Sequence, residues 1–160
     1  MGRAAAGVTG ISLSKGDKVA SMEVLEPEGD LLVMTTGGYG KRTPLSEYPR
    51  KGRATGGVQT IDKSALKKVG IITAARVVQE ADDLTIISAS GVVLRTRVQD
   101  LSRSGRATRG VMIMSVEGDD YVASVARTAA ADLRQAGAGD GRNGDSTPGV
   151  ETARPGNNGR

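Results

Sequence analysis

The 160-residue sequence contains no cysteine, histidine, tryptophan or phenylalanine. Without imidazole or thiolate there is no Ser-His-Asp triad, no thiol nucleophile and no His/Cys zinc or haem site. An enzyme built on this chain would have to use carboxylates, hydroxyls and amines. Aromatic residues reach only 2%, namely Tyr39, Tyr48 and Tyr121. The core is therefore expected to consist of small and β-branched aliphatic side chains. No apolar run approaches the ~20 residues that span a bilayer, and the first residues lack the apolar stretch of a signal peptide. These absences predict a soluble protein with no membrane partner, located in the cytoplasm. Absence of cysteine agrees with a reducing compartment.

What the sequence has in excess is glycine, 23 residues with no collagen period. Such a content points to many tight turns or to a segment that does not pack. Both are expected. From Ala130 onward, seven glycines, two prolines and evenly matched Arg and Asp/Glu leave almost nothing to bury. Residues 130–160 are expected to form a disordered Gly-rich tail of zero net charge, with one or two helical turns available over Ala126 to Ala136. The formal net charge of +4 then belongs to the body, residues 1–129.

The body is repetitive. Gly2-Arg3-Ala4-Ala5-Ala6-Gly7-Val8 recurs as Gly52-Arg53-Ala54-Thr55-Gly56-Gly57-Val58 and as Gly105-Arg106-Ala107-Thr108-Arg109-Gly110-Val111, at offsets of 50 and 53. Residues 30–58 and 83–111 align without a gap at 12 of 29 identical positions, and Val19-Ala20-Ser21 returns as Val122-Ala123-Ser124. This predicts two full units and part of a third, roughly 2–51, 52–104 and 105–129. Within a unit the strands are expected at Val19 to Leu25, Leu31 to Thr35, Tyr39 to Leu45 and Gly57 to Ile61, with repeats at Leu84 to Ser88, Val92 to Val98 and Gly110 to Met114. Gly37-Gly38 and Ser90-Gly91 stand at hairpin spacing. Asp62 to Lys68 reads as a short turn of helix. Four short strands in each unit of ~50 residues predict an all-β fold, a partial propeller of about two and a half four-stranded blades with open edge strands.

Thr36-Gly37-Gly38-Tyr39-Gly40-Lys41-Arg42-Thr43-Pro44, then Glu47-Tyr48-Pro49 and the Gly-Arg-x-x-x-Gly-Val element, resemble the C-terminal domain of the DNA gyrase A subunit among type IIA topoisomerases. Gly91-Val92-Val93-Leu94-Arg95-Thr96-Arg97 and the element at Gly105 resemble its next blade. The resemblance implies a β-pinwheel whose basic rim wraps double-stranded DNA and biases ATP-driven strand passage toward negative supercoiling. It implies the rest of gyrase A and the ATPase gyrase B subunit as partners, and association with the nucleoid. The cleavage domain, its tyrosine motif and the Gln-Arg-Arg-Gly-rich box have no counterpart here, and Met1 opens within a repeat element. A fragment is therefore expected, with no catalytic residue and no cofactor of its own. The equivalent domain of topoisomerase IV is the near alternative. A protein-docking propeller fragment using an exposed strand edge is the alternative of another class.

Charge placement sharpens the expectation. Lys41, Arg42, Arg50, Lys51 and Arg53 face Glu47 alone, and Arg95, Arg97, Arg103, Arg106 and Arg109 face Asp100 alone. Each window is net +4, so the remainder of the body is net −4. Equivalent residues of stacked repeats share a rim. A periodic basic rim suits the phosphate backbone, and without a recognition helix it predicts binding by backbone and shape. These ten residues are the candidate DNA contacts. Arg3, Arg53 and Arg106 lie in a Gly-rich turn, where a structural role is equally open, and one member of a strand pair such as Arg42 or Arg95 can point inward. Lys67 and Lys68 read as solvated. The acidic groups at Glu80, Asp82 and Asp83 and at Glu117, Asp119 and Asp120 fit no cation-binding loop, so no metal site is expected.

Overall fold

The computed structural model describes residues 3–138. It contains two antiparallel sheets. β1 (Asp30–Thr35) and β2 (Tyr39–Pro44) form a hairpin in register Asp30 to Pro44, and β3 (Ile72–Val78) pairs with the other edge of β1. The second sheet repeats this plan, with β4 (Asp83–Ser88) and β5 (Val93–Arg97) as the hairpin and β7 (Val122–Thr128) beside β4. β6 (Val111–Met112) completes the first sheet along β2, giving the orders β3-β1-β2-β6 and β5-β4-β7. The all-β propeller class stands. The third unit builds no sheet of its own: it supplies β6 to the first sheet and β7 to the second.

Pleating assigns the core. On β1, Leu32 and Met34 pack with Leu84, Ile86, Met114, Val122 and Val125, whereas Val33 packs with Ile61 and Val69 beneath partly buried Leu31 and Tyr39. Alternate residues of one strand thus serve two clusters, so the first sheet is buried on both faces. Between the sheets Arg127 on β7 bonds Asp82 at 2.6 Å, Glu26 at 2.6 Å and the Val77 carbonyl at 3.1 Å. Pairing a guanidinium with several acceptors in this way fixes orientation as well as contributing energy.

Several expectations change. Val19–Leu25 forms no ladder, and Val19, Met22, Val24 and Leu25 are exposed. At offset 53 this segment corresponds to β3, whose partner is β1; no strand among the described residues pairs with it. β3 was not anticipated, because its Ile-Thr-Ala-Ala-Arg-Val-Val run shares only one identity with Val19 to Leu25. Gly57 to Ile61 is not a strand, and Gly110 to Met114 contracts to Val111–Met112. The turn of helix at Asp62 is present, with Asp62 accepting the Ser64 N–H at 2.9 Å ahead of a 3-10 turn and α1 (Leu66–Val69). The chain divides after Ala130. The strand runs to Thr128 and α2 occupies Ala130–Ala138, so the helix starts later than Ala126 and claims the first part of the expected tail. The remainder of that tail, residues 139–160, lies outside the described residues.

Candidate nucleic-acid interface

The Gly-Arg elements have a shared local structure that their sequence dictates. The Thr55 hydroxyl donates to the Gly52 carbonyl at 3.2 Å, and its counterpart Thr108 donates to Gly105 at 3.0 Å. A threonine three residues after a glycine closes the turn on itself. The first element has Ala5 in that place and no hydroxyl. The middle turn rests on the preceding segment, where Ser12 N–H donates to Thr55 at 3.0 Å and Ala54 N–H to Gly10 at 3.1 Å. The last turn instead lies along β2, with Arg42 N–H donating to Ser102 at 3.2 Å, Ser104 N–H to Arg42 at 2.9 Å and the Thr43 hydroxyl to Ser104 at 2.8 Å.

That covering corrects two of the candidate contacts. Lys41 and Arg42 are buried, at 1% and 8% exposure, because the chain 60 residues downstream closes over β2. Arg42 donates to the Leu101 carbonyl at 3.0 Å and pairs with Asp30 at 3.3 Å and Glu80 at 3.2 Å. Neither side chain is available to a phosphate. Arg103 pairs with the other oxygen of buried Asp30 at 2.9 Å, so that one carboxylate ties β1 to β2 and to the incoming segment. A buried carboxylate is tolerated only with such pairing, and removing one partner is costly.

The second hairpin is a looser version of the same arrangement. Arg95 pairs with Asp83 at 3.0 Å and remains largely exposed. Arg97 grips Asp100 with two bonds of 3.0 and 3.2 Å, which raises the guanidinium pKa further. These two cations are exposed and already engaged. Arg50, Lys51, Arg53 and Arg109 are exposed and make no ion pair among the described residues, and Arg106 is half-buried. The ten candidates thus resolve into two interior residues, three surface residues engaged with carboxylates, and five on the repeated Gly-Arg turns and their approach.

Two roles escaped the sequence reading. Arg127 carries no repeat signal, and its partners Glu26 and Asp82 lie 101 and 45 residues away. Asp120 accepts bonds from the Ser90 N–H and hydroxyl at 2.9 and 2.7 Å, which hold its carboxyl down at about 2 and pin the β4–β5 turn. Asp82 and Asp120, from the two acidic groups that fit no cation-binding loop, thus organise turns. Among the described residues no helix is long and apolar enough to cross a membrane.

Comparison with known proteins agrees with this fold. The family described as the DNA gyrase C-terminal domain, a beta-propeller, matches residues 1–26, 29–79 and 82–129. The DNA gyrase A subunits of Staphylococcus epidermidis and Escherichia coli are each 40% identical over 129 residues, covering 79% and 81% of this chain. The chain spans only 14% of the length of either relative. A solved DNA gyrase A C-terminal domain superposes with a TM-score of 0.71 at 30% identity, over 76% of this chain and 41% of that one. A topoisomerase IV C-terminal domain gives 0.72 at 24% identity, over 86% and 44%, and shares the fold.

Proposed function

Because the chain belongs to the DNA gyrase C-terminal domain family of beta-propellers, we propose that it binds and wraps duplex DNA as a module of a gyrase A subunit, supporting negative supercoiling by the parent enzyme. In that setting its partners are DNA, the remainder of gyrase A and the ATPase subunit gyrase B, and its place is with the nucleoid. The observation that carries the reading is the set Arg50, Lys51, Arg53, Arg106 and Arg109. These cations stand on equivalent turns of successive repeats and have no carboxylate partner among the described residues. Cations left unpaired next to well-paired ones such as Arg42 and Arg103 are free to replace the counterions of a phosphate backbone. Contacts of this type position DNA without reading bases.

Gyrase is favoured over topoisomerase IV because 40% identity to gyrase A subunits accompanies the fold, whereas the topoisomerase IV likeness rests on fold alone. Salt titration of binding to mixed-sequence duplex tests the proposal. Five neutralised phosphates correspond to a loss of affinity of roughly five-hundred-fold between 50 and 200 mM salt, with no dependence on sequence. Binding that ignores salt, or no binding at the low-salt end, contradicts it.

A further inference from the structure

Lys41 has an ammonium in the interior with no carboxylate bonded to it. Its three protons are nevertheless all placed, on the Gly105 carbonyl at 2.6 Å, the Arg106 carbonyl and the Thr108 hydroxyl at 3.1 Å. An ammonium has three donors and no acceptor, so the site is saturated. Burial lowers the Lys41 pKa and the nearby Glu47 charge opposes that. Glu47 also accepts the Arg106 N–H at 3.2 Å. The turn from Gly105 to Thr108 is thus held from beneath by a cation on its carbonyls and at its side by an anion on its amide.

The backbone of β2 is shaped for this contact. A Cβ at Gly40 would meet the Met34 sulfur, and Ile113 at 2.6 Å; one at Gly110 would lie 2.6 Å from the Gly40 carbonyl. The arrangement is not a property of every repeat. On β5 the counterparts of Gly40-Lys41 are Val93-Leu94, which offer neither the close approach nor the ammonium. The Gly52 turn, held through backbone bonds from Gly10 and Ser12, has no lysine beneath it among the described residues.

Resting on the DNA-binding reading above, we propose that Lys41 is a positioning residue for DNA: by holding the Gly105, Arg106 and Thr108 oxygens it fixes the turn from which Arg106 and Arg109 meet phosphate. It touches no DNA itself. Its effect passes through the last Gly-Arg turn and leaves the Gly52 turn untouched.

The test uses this chain, a fluorescent mixed-sequence duplex, and the variants Lys41→Met, Thr108→Val, Arg109→Glu and Arg53→Glu, singly and with Lys41→Met. Lys41→Met is expected to keep the far-ultraviolet circular dichroism of the parent while the slope of log affinity against log salt falls by about 2, the share of two phosphate contacts. Adding Arg109→Glu to Lys41→Met is expected to change affinity by less than about twofold, whereas adding Arg53→Glu multiplies the two separate losses. A parental slope in folded Lys41→Met overturns the proposal. So does a full multiplicative loss with Arg109→Glu. If Lys41→Met does not fold, Thr108→Val decides, because it removes one acceptor and the hydroxyl link to Gly105; its slope is expected to fall by about 1, and an unchanged slope overturns the assignment. A parent chain that does not bind duplex at all refutes the DNA-binding reading, and this role with it; a binding parent with an indifferent Lys41 refutes this role alone.

Discussion

Asp120 shows how much one half-buried carboxylate organises. Its carboxyl titrates at about 2 in the folded chain because the Ser90 and Ser88 side chains bond the ionised form. A depressed carboxyl contributes stability that is present above the unfolded pKa, near 3.8, and is lost as pH falls toward 2. Asp120→Asn is therefore expected to lower the melting temperature near neutrality and to flatten its pH dependence between 4 and 2, as calorimetry from pH 7 to 2 will measure. Lys41 and Arg42 make the complementary point about reading residues. Both belong to a basic window that reads as surface, and the alternation along β2 says nothing about a segment 60 residues downstream that lies over it. The exposed Arg50, Lys51, Arg53 and Arg109 were legible because no long-range element covers them.

At the scale of elements, the hairpins were readable because an aliphatic-rich strand, Leu31 to Met34 or Leu84 to Ile87, runs into a glycine turn in both copies. β6 and β3 were less so. β6 has two residues and exists only through its pairing of Gly40 with Val111 and Tyr39 with Met112. Its entry depends on Gly110, which adopts φ +77° against the Gly40 carbonyl. A side chain there meets both a left-handed backbone and a steric block. Gly91 in the second hairpin has φ +89° with open space around the Cβ position. Gly110→Ala is expected to destabilise by about 3 kcal/mol and Gly91→Ala by about 1 kcal/mol. Urea denaturation of the two variants distinguishes them, and equal losses would contradict the close approach at Gly40.

For the whole molecule, the rim hypothesis requires that charge be dispensable for folding. Arg50→Glu, Lys51→Glu, Arg53→Glu and Arg109→Glu combined are expected to abolish duplex binding at moderate salt while preserving the β signal in circular dichroism. Arg103→Glu is expected to behave differently, since it sets a second carboxylate against buried Asp30 and should lower stability by about 3 kcal/mol. A loss of fold in the combined variant would assign those four residues to structure. The sequence by itself determined the repeat, the all-β class, the hairpins and the clustering of cations, because each is written in local periodicity and spacing. Only the tertiary structure decided which sheet each strand joins and which cations remain at the surface. The reason is physical: a strand edge or a guanidinium is satisfied by whatever groups distant chain brings to it, as β6, β7 and the Leu101–Ser104 segment do here.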